Sequence, residues 1–417
     1  MIILGENTYF NNGYKGNGNN LVVGSPGSCK TRGFVLPNIC ECDNESIIIL
    51  DAKNEIYNAT HSLMERKGYK IQRISFADPR ESTIRYNPFN FIQTQEDIIA
   101  FSNTLVEHTH TVDTFWVDCA RILNNALSSY LLEVCPEHQH SLHSIYKLLR
   151  VCTAYEDDNR PSKIDLIFRE LKEKLPTSWA GGQFDLVKNS AARTFRSVAI
   201  TLSSAFSHML TEDIIELTSP GGIQLDPESF CREKTALYIN ISDVERSRDK
   251  LACLFFTQLL QQLYKIADKS PDRSLPRPVL IMLDDIGANL QIPNLEGYLS
   301  TSRGRDISFS LILQSFGQLK KNYKDITSII SSCNNILFMG SNDLETCQNI
   351  AERLNRPLAD VLYKDKGTVF VFQQGHKPIS TKAYDLRSHR NYPLLKDNYV
   401  TEKPTPGSRD DGKELDI

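Results

Sequence analysis

Short apolar runs alternate with amphipathic stretches along the first part of this 417-residue chain. Strands are predicted at Asn20–Gly24, Ser46–Asp51 and Lys70–Phe76, where β-branched and other apolar residues run together. A helix is predicted over Ile56–Lys67, because its apolar positions recur at helical spacing and Gly68 follows as a plausible cap. Strands that alternate with helices form parallel sheets covered on both faces, so this part of the chain predicts an α/β fold.

A long central stretch has a different pattern. Between residues 93 and 209 the strand pattern disappears, and the spacing of apolar positions predicts about four to six helices. Strand patterns resume at Thr235–Ile241 and at Pro278–Leu283, on either side of a strongly apolar helix at Leu251–Ile266. The central stretch is therefore interpreted as an all-α insertion into the α/β part.

These changes of pattern define the predicted domains. A chain of 417 residues is too long for one simple core. We predict a discontinuous α/β domain formed by residues 1–92 and 210–395, with an all-α domain at 93–209 inserted into it. The polar tail at 396–417 is predicted to be disordered.

The segment that follows the first strand has the layout of a phosphate-binding loop, G-x-x-x-x-G-K-[ST]. In such a loop, backbone N–H groups and a helix N-terminus face the phosphates, the lysine reaches the β- and γ-phosphates, and the hydroxyl holds Mg²⁺. Here a cysteine stands where the glycine before the lysine is expected. The candidate nucleotide-binding residues are Gly24, Ser25, Pro26, Gly27, Ser28, Cys29, Lys30 and Thr31.

The surroundings of this loop decide between a nucleotide site and an ordinary turn. Gly, Ser and Pro also form turns for purely local reasons. A short helix is predicted over Thr31–Asn38, ended by Pro37, and the strand at Ser46–Asp51 follows it. The order strand, glycine loop, helix and strand is the context that the motif requires, and it favours a nucleotide site over an ordinary turn.

A pair of carboxylates ends the predicted strand at Pro278–Leu283. In open α/β sheets, ligands lie at the carboxyl ends of the strands. Asp284 is predicted to hold Mg²⁺, directly or through water, and Asp285 to polarise an attacking water molecule. The alternative is that both are turn residues after a buried strand. Asp51 follows another strand at the same edge, and it either contributes to the site or caps its loop.

A glutamine and two arginines flank the strand predicted at Ser308–Leu313. The strand brings Gln314 to the same sheet edge, where its amide can sense the γ-phosphate through a hydrogen bond. Arg303 and Arg305 precede the strand and lie far from its carboxyl end. They are predicted to act on a neighbouring subunit as charge stabilisers, the alternative being a solvated basic turn.

Composition narrows the class of protein. With 40% hydrophobic and 24% charged residues the chain is typical of a soluble globular protein. No apolar run is long enough to span a bilayer, and the N-terminus does not have the pattern of a secretion signal. Ten scattered cysteines favour reduced thiols in a cytosolic protein over disulfides or a zinc site. A net charge of −4 does not indicate general nucleic-acid affinity.

Two residue clusters in the central stretch receive structural interpretations. Five histidines have a spacing that fits no common metal site. They are His108, His110, His138, His140 and His143. Phe115 and Trp116 are interpreted as core anchors rather than as stacking platforms for bases. Because the stretch carries more acidic than basic residues, it favours protein cargo over broad DNA contact.

Together these motifs resemble those of the VirD/TraG coupling proteins. The resemblance extends from about residue 18 to about residue 393. It rests on the loop that ends at Lys30-Thr31, on Asp51-Ala-Lys53-Asn-Glu55-Ile-Tyr57, Tyr86-Asn-Pro-Phe89, Phe115-Trp116 and Asp284-Asp285-x-x-x-Asn289, and on the run from Ser302-Arg-Gly-Arg to Gln314. It implies a RecA-like P-loop NTPase domain with an inserted all-α domain, and an ATPase that brings DNA–relaxase cargo to a type IV secretion channel. In this family the motor domains can form hexameric rings with ATP between subunits.

The chain departs from the family pattern in three ways. Family members usually begin with transmembrane helices, and a loop only some twenty residues after Met1 favours a natural membrane-less member over a truncation. Cys29 introduces a side chain where the backbone approaches the phosphates, and a thiol beside Lys30 at a helix N-terminus is expected to be reactive. Asp285 is one methylene shorter than the usual glutamate, and a misplacement of ~1 Å can cost a hundredfold in rate. Binding of nucleotide is therefore expected to be weakened, and hydrolysis slow or absent.

Two hypotheses of function follow. The first is a coupling protein of a conjugative system that uses ATP and Mg²⁺ and recruits a relaxase with the transferred DNA. The second is an adaptor with a degenerate nucleotide site that docks the relaxase without appreciable hydrolysis. A DNA-translocating ATPase of the FtsK/HerA type is a weaker third. The expected partners are channel ATPases or membrane components. The chain is expected to be a monomer alone and a homo-hexamer when assembled. Its expected location is the cytoplasm or the inner face of the membrane.

Overall fold

The computed structural model describes residues 1–10, 17–106, 114–153, 161–189, 192–242, 244–286 and 290–395. Its centre is a nine-stranded sheet in the order β11-β10-β9-β3-β8-β7-β4-β6-β5, and β1 and β2 form a separate hairpin. The strands are β1 Ile2–Gly5, β2 Thr8–Phe10, β3 Asn20–Gly24, β4 Ser46–Leu50, β5 Lys70–Ser75, β6 Thr235–Asn240, β7 Val279–Leu283, β8 Ile307–Leu313, β9 Asn335–Gly340, β10 Thr368–Gln373 and β11 Ile379–Lys382.

The sheet is mainly parallel. From β9 to β5 every neighbouring pair is parallel, while β10 runs antiparallel to both β9 and β11. Every residue of β3, β4, β6 and β7 is buried, as expected for strands covered on both faces. The predicted α/β fold is confirmed, and the predicted strands agree with the observed ones to within one or two residues.

Helices cover the sheet and form most of the chain between β5 and β6. They are α1 Leu36–Glu41, α2 Glu55–Arg66, α3 Gln95–Leu105, α4 Thr114–Val134, α5 Leu142–Thr153, α6 Lys163–Lys174, α7 Trp179–Lys188, α8 Ala192–Ser207, α9 Glu212–Leu217, α10 Pro227–Arg232, α11 Asp249–Lys269, α12 Leu295–Thr301, α13 Phe316–Asn322, α14 Ile326–Ser331, α15 Leu344–Leu354 and α16 Leu358–Leu362. The run from α3 to α8, here called the helical region, corresponds to the stretch in which helices were expected. The domain boundaries given above stay a prediction.

Polar contacts join the helical region to α11, the long helix that packs on the sheet. The side-chain amide of Gln262 donates to the carbonyl of Phe91 at 2.9 Å. Lys265 pairs with Asp97 at the first turn of α3. Asp97 also completes the capping box of that helix, in which Thr94 is the N-cap. The start of the helical region is therefore fixed to the sheet-covering layer by charge as well as by apolar packing.

Two sequence-based expectations are wrong in detail. Pro37 does not end the helix after the loop: a π-helix at Thr31–Val35 continues directly into α1, in which Pro37 is the second residue. Phe115 is not a core anchor, since half of its surface is exposed, whereas Trp116 is partly buried against the core. The Phe115 ring packs edge-on against Trp116, with 5.3 Å between centroids.

The amino ends of the central strands carry a buried polar network. Asn19, fully buried before β3, accepts a hydrogen bond from the backbone N–H of Phe309 at 2.9 Å. Its amide donates to the carbonyl of Leu299 at 3.0 Å and to the hydroxyl of Ser302 at 3.1 Å. These bonds fix the register of β3 against β8 and against the turn that precedes β8, which positions the carboxyl ends of both strands.

Candidate nucleotide-binding site

The loop between β3 and the π-helix folds around the side chain of Lys30. The Lys30 ammonium is buried and donates to the carbonyl oxygens of Gly24 at 2.6 Å and Ser25 at 3.4 Å. Burial lowers the pKa of Lys30, and the nearby Asp285 and Asp284 carboxylates oppose this shift. An anionic partner stabilises a buried cation of this kind. The loop places the ammonium beside exposed backbone.

The backbone of the loop takes left-handed conformations at two positions. Gly27 has φ = 79°, which glycine adopts without strain. Cys29 has φ = 66°, a conformation that disfavours a residue with a Cβ atom. The cysteine therefore retains the backbone shape that a glycine would take here, and its side chain is exposed at the surface of the loop.

The ends of three adjacent strands bring the predicted polar groups together. β8 lies between β3 and β7 in the sheet, so the residues after each strand meet at one edge. The Thr31 hydroxyl lies 3.5 Å from a carboxylate oxygen of Asp284. The Gln314 amide donates to Asp285 at 3.3 Å. Asp285 also has a left-handed backbone, with φ = 53°, which turns it away from the line of the strand.

Carboxylates are crowded at this edge. Burial, together with the negative charge of Asp285, raises the pKa of Asp284 to about 7. Burial also raises the pKa of Asp51 to about 6, although backbone N–H groups such as that of Tyr57, 2.8 Å away, favour its charged form. Asp51 therefore caps the start of α2 and also adds negative charge to the site.

The donor set of this edge fits a magnesium ion. The Thr31 hydroxyl and the carboxylates of Asp284 and Asp285 are oxygen ligands of the kind that Mg²⁺ prefers. Burial and the neighbouring Asp285 raise the pKa of Asp284, and a bound cation would favour its charged form. Asp51 and Lys53 line the same small cavity of about 50 Å³, so the site is compact and polar.

A second, larger cavity lies on the other side of the loop. Its volume is about 290 Å³, and its walls are loop residues from Ser25 to Cys29, the end of β9, and the segment Val361–Gly367. This cavity could not be predicted from sequence motifs, because Met339, Lys364 and Lys366 belong to none of them. Their role arises only from the pairing of β9 next to β3.

The two predicted arginines lie at the opposite edge of the sheet, before β8. Arg305 pairs with Asp268, with a guanidinium nitrogen 2.8 Å from the carboxylate, and lies 4.8 Å from the centre of the Tyr264 ring. Arg303 is exposed. Neither arginine reaches the nucleotide site of its own chain, so a role in trans stays a prediction.

Other residues from the sequence motifs are placed as follows. Asn289, His108 and His110 lie outside the described residues. His140 is held by the carbonyl of Cys135, 2.9 Å from its Nε2 atom. Within the described residues, no helix combines the length and the apolar character needed to cross a membrane.

The sheet order, the loop around Lys30 and the carboxylates after β7 define the fold class of this protein, the RecA-like P-loop NTPase fold with an added helical region. The sequence matches the family described as type IV secretory system conjugative DNA transfer over residues 3–356, and the chain belongs to that family.

Named relatives agree with this assignment. Protein VirD4 of Rhizobium radiobacter is 22% identical over 342 residues, which cover 80% of this chain and 47% of that protein. Conjugal transfer protein TraG of the same organism is 21% identical over 378 residues, covering 86% of this chain and 55% of that protein. The chain therefore spans about half the length of these curated relatives.

Solved structures share the fold. The bacterial conjugative coupling protein TrwBdeltaN70, in complex with sulphate, superposes with a TM-score of 0.64 at 16% identity, covering 88% of this chain and 85% of that chain. The plasmid coupling protein TrwB in complex with ADP and Mg²⁺ gives a TM-score of 0.63 at 16% identity, with the same coverage.

Proposed function

We propose that this protein binds a nucleoside triphosphate with Mg²⁺ at Gly24–Thr31 and acts as a coupling protein that brings relaxase–DNA cargo to a conjugative type IV secretion channel. The observation that carries the proposal is the meeting of Lys30, Asp284 and Gln314 at the carboxyl ends of three adjacent strands. Membership of the conjugative DNA transfer family supports the role in secretion.

Each residue of the site has a role in this proposal. Lys30 balances phosphate charge, and Thr31 with Asp284 holds Mg²⁺, which neutralises developing charge on the phosphate oxygens when it is bound. Asp285 orients a water molecule as the base. Gln314, which donates to Asp285, senses the γ-phosphate and changes the position of that carboxylate when the phosphate is lost.

A second candidate function is an adaptor that binds nucleotide with little hydrolysis. Two observations favour it: Cys29 has a strained left-handed backbone at the phosphate loop, and Asp285 has the shorter of the two acidic side chains. Both lie where positioning errors of ~1 Å reduce rates strongly. The adaptor would still recruit the relaxase, with force supplied by another ATPase of the channel.

Binding and hydrolysis measurements test the nucleotide part of the proposal. Titration of the full chain with ATP and Mg²⁺ is expected to show binding that Lys30→Ala weakens at least about a hundredfold, since a buried cation on phosphate is lost. Lys377→Ala, an exposed lysine on the turn between β10 and β11, is the matched control. Equal binding by Lys30→Ala and wild type would contradict the site.

Turnover separates the two candidates. If the wild type hydrolyses ATP and Lys30→Ala does not, the motor function is supported. If only the double variant Cys29→Gly with Asp285→Glu hydrolyses ATP, the adaptor is supported. In cells that carry the complete conjugative system, Lys30→Ala is expected to lower transfer for the motor far more than for the adaptor.

The helical region is proposed to receive the cargo. Its excess of acidic residues disfavours broad phosphate contact, so protein is the expected ligand. Binding of the purified relaxase from the same conjugative element is expected to exceed binding of duplex DNA alone, at both low and physiological salt. Tighter binding of naked DNA, with a steep dependence on salt, would contradict this assignment. Hexamer formation on cargo stays a prediction, with Arg303 as the residue exposed for a neighbouring subunit.

A further inference from the structure

A single lysine lines the candidate magnesium cavity. The wall of this cavity of about 50 Å³ carries four carboxylates, those of Asp51, Glu55, Asp284 and Asp285. Among the described residues that line it, Lys53 is the one cation. Its side chain is exposed, and its ammonium has no hydrogen-bond or ion-pair partner within the part of the chain that the structure describes. A cation that lies beside four carboxylates without a salt bridge to any of them is available to another anion.

The turn that carries Lys53 is fixed from two sides. The side-chain amide of Asn240, at the end of β6, donates to the carbonyl of Asp51 at 2.7 Å and to that of Ala52 at 3.3 Å. The Asp51 carboxylate in turn accepts a hydrogen bond from the backbone N–H of Tyr57 in α2 at 2.8 Å. The backbone that leads to Lys53 is therefore held by the sheet and by α2.

The residue after Lys53 completes this turn. Asn54 has φ = 59°, a left-handed conformation in which asparagine is several-fold enriched over other residues with a side chain. Its side-chain amide donates to the Glu81 carboxylate at 3.2 Å, which joins the turn to the segment after β5. The bend allows Lys53 and the start of α2 at Glu55 to line the same cavity. A lysine on a backbone held at so many points is preorganised for a ligand.

The other lysine of the site differs in its surroundings. The Lys30 ammonium is buried and donates to carbonyl oxygens of its own loop. Burial is the main cause of the lowered pKa of Lys30, and the positive charge of Lys53 adds to this shift. The two cations are therefore close enough to repel each other, and an anion that contacts both relieves this repulsion.

We propose that Lys53 is a specificity-determining residue, whose ammonium binds the γ-phosphate and makes the site select a triphosphate over a diphosphate. This rests on the nucleotide site proposed above. In phosphate-loop sites the loop N–H groups hold the inner phosphates, and the ion bridges oxygens of the β- and γ-phosphates. A γ-phosphate next to Thr31 and Asp284 is then also next to the cavity that Lys53 lines.

The charges of the cavity support this role. Four carboxylates repel the end of a triphosphate, and Lys53 is the described lining group that offsets this repulsion. A diphosphate lacks the group that lies against the cavity, so Lys53 contributes little to its binding. The alternative role is that of a solvated lysine that only offsets the carboxylates of its own chain. The two roles differ in one measurable quantity, the preference for a third phosphate.

Calorimetric titrations of the full chain, with Mg²⁺ present, compare ADP with ADPNP, a non-hydrolysable ATP analogue that carries the third phosphate. The wild type is expected to bind ADPNP at least about tenfold tighter than ADP. Lys53→Met is expected to lower ADPNP affinity about tenfold and ADP affinity by less than about twofold, and Lys53→Arg to restore most of the loss. Lys377→Met, the matched control at an exposed lysine, should change neither affinity.

A second measurement uses ADP with beryllium fluoride, which takes the place of the γ-phosphate. Beryllium fluoride should tighten ADP binding by the wild type and not by Lys53→Met. An equal loss of ADP and ADPNP affinity in Lys53→Met, or no loss of either, would overturn the role of Lys53 while the nucleotide site stands. Equal affinity of the wild type for ADP and ADPNP would overturn it as well. Absence of binding by both nucleotides would overturn the nucleotide site itself.

Discussion

The amino and carboxyl edges of the central strands β3, β8 and β7 carry polar side chains in opposite conditions. At the amino ends, Asn19 forms hydrogen bonds with Phe309, Leu299 and Ser302, and each bond satisfies a buried donor or acceptor. At the carboxyl ends, Asp284 follows β7, and burial together with the like charge of Asp285 raises its pKa to about 7. The sheet therefore has a satisfied polar network at its amino edge and an uncompensated carboxylate at its carboxyl edge.

Left-handed backbone conformations occur at both edges. Cys29 and Asp285 at the carboxyl edge have φ values of 66° and 53°, and Asp306, directly before β8 at the amino edge, has a φ of 56°. Backbone strain and crowded charge are common at ligand sites, where a bound ligand relieves them. The rest of the structure must supply the folding free energy that offsets their cost. The amino-end network supplies part of this stability, so the amino edge stabilises the fold and the carboxyl edge is suited to binding a ligand.

The largest expected effect is at the amino edge. Asn19→Ala removes several buried hydrogen bonds and leaves the N–H of Phe309 and the carbonyl of Leu299 without that partner, so the free energy of unfolding should fall by about 3 kcal/mol. Asn334→Ala, at a partly buried neighbour, is the control, and a loss below about 1 kcal/mol is expected. Denaturant unfolding measures both, and equal losses would remove the distinction between these positions.

The next effect is a pH dependence from the carboxyl edge. The pKa of Asp284 is raised from its ordinary value near 3.8 to about 7 in the folded state. The folded protein therefore binds a proton more tightly than the unfolded chain, and stability falls as pH rises from about 4 to 7. Asp284→Asn should remove this penalty and stabilise the nucleotide-free protein by about 2 kcal/mol at pH 8.

Thermal unfolding from pH 4 to 8 measures this difference. The wild type and Asp284→Asn are expected to have similar stability near pH 4, to diverge between about pH 4 and pH 7, and to differ by a constant amount above pH 7. The raised pKa of Asp51, about 6, adds a smaller slope in both proteins. If Asp284→Asn were less stable than the wild type at pH 8, the carboxylate would be favourably bound and the comparison of edges would fail.

The sequence predicted the sheet and the phosphate loop well because both depend on local signals. The apolar run at Asn20–Gly24 is followed directly by the glycine loop in sequence, and β3 spans the same residues as the predicted strand. Pro37 misled because a proline in the first turn of a helix resembles a helix stop in sequence. Lys364 could not be found, because its position beside the loop depends on β9 pairing with β3, a contact that joins distant parts of the chain.

The arginines before β8 give a smaller test at the amino edge. Arg305 pairs with Asp268 and packs on the Tyr264 ring, whereas Arg303 is exposed. Arg305→Met should reduce the free energy of unfolding by about 1 kcal/mol, and Arg303→Met by less than about 0.5 kcal/mol. If Arg303 acts on a neighbouring subunit, its variant should instead reduce only the turnover of an assembled ring. Equal losses of stability would show that both side chains serve the fold.

The smallest effect concerns the strained loop itself. A left-handed conformation costs a residue with a Cβ atom about 1–2 kcal/mol. Glycine avoids this cost, but the greater conformational entropy of glycine in the unfolded chain offsets part of the gain in stability. Cys29→Gly should therefore stabilise the protein by about 0.5–1 kcal/mol, while Cys29→Ala, which keeps the Cβ atom, should change stability little. Thermal unfolding compares the two variants, and titration with ADPNP shows whether relief of strain also tightens binding. If alanine and glycine stabilised equally, the sulfur and not the backbone would be the source of strain. The carboxyl edge would then be limited by side-chain crowding at the phosphates and not by the conformation of its loop.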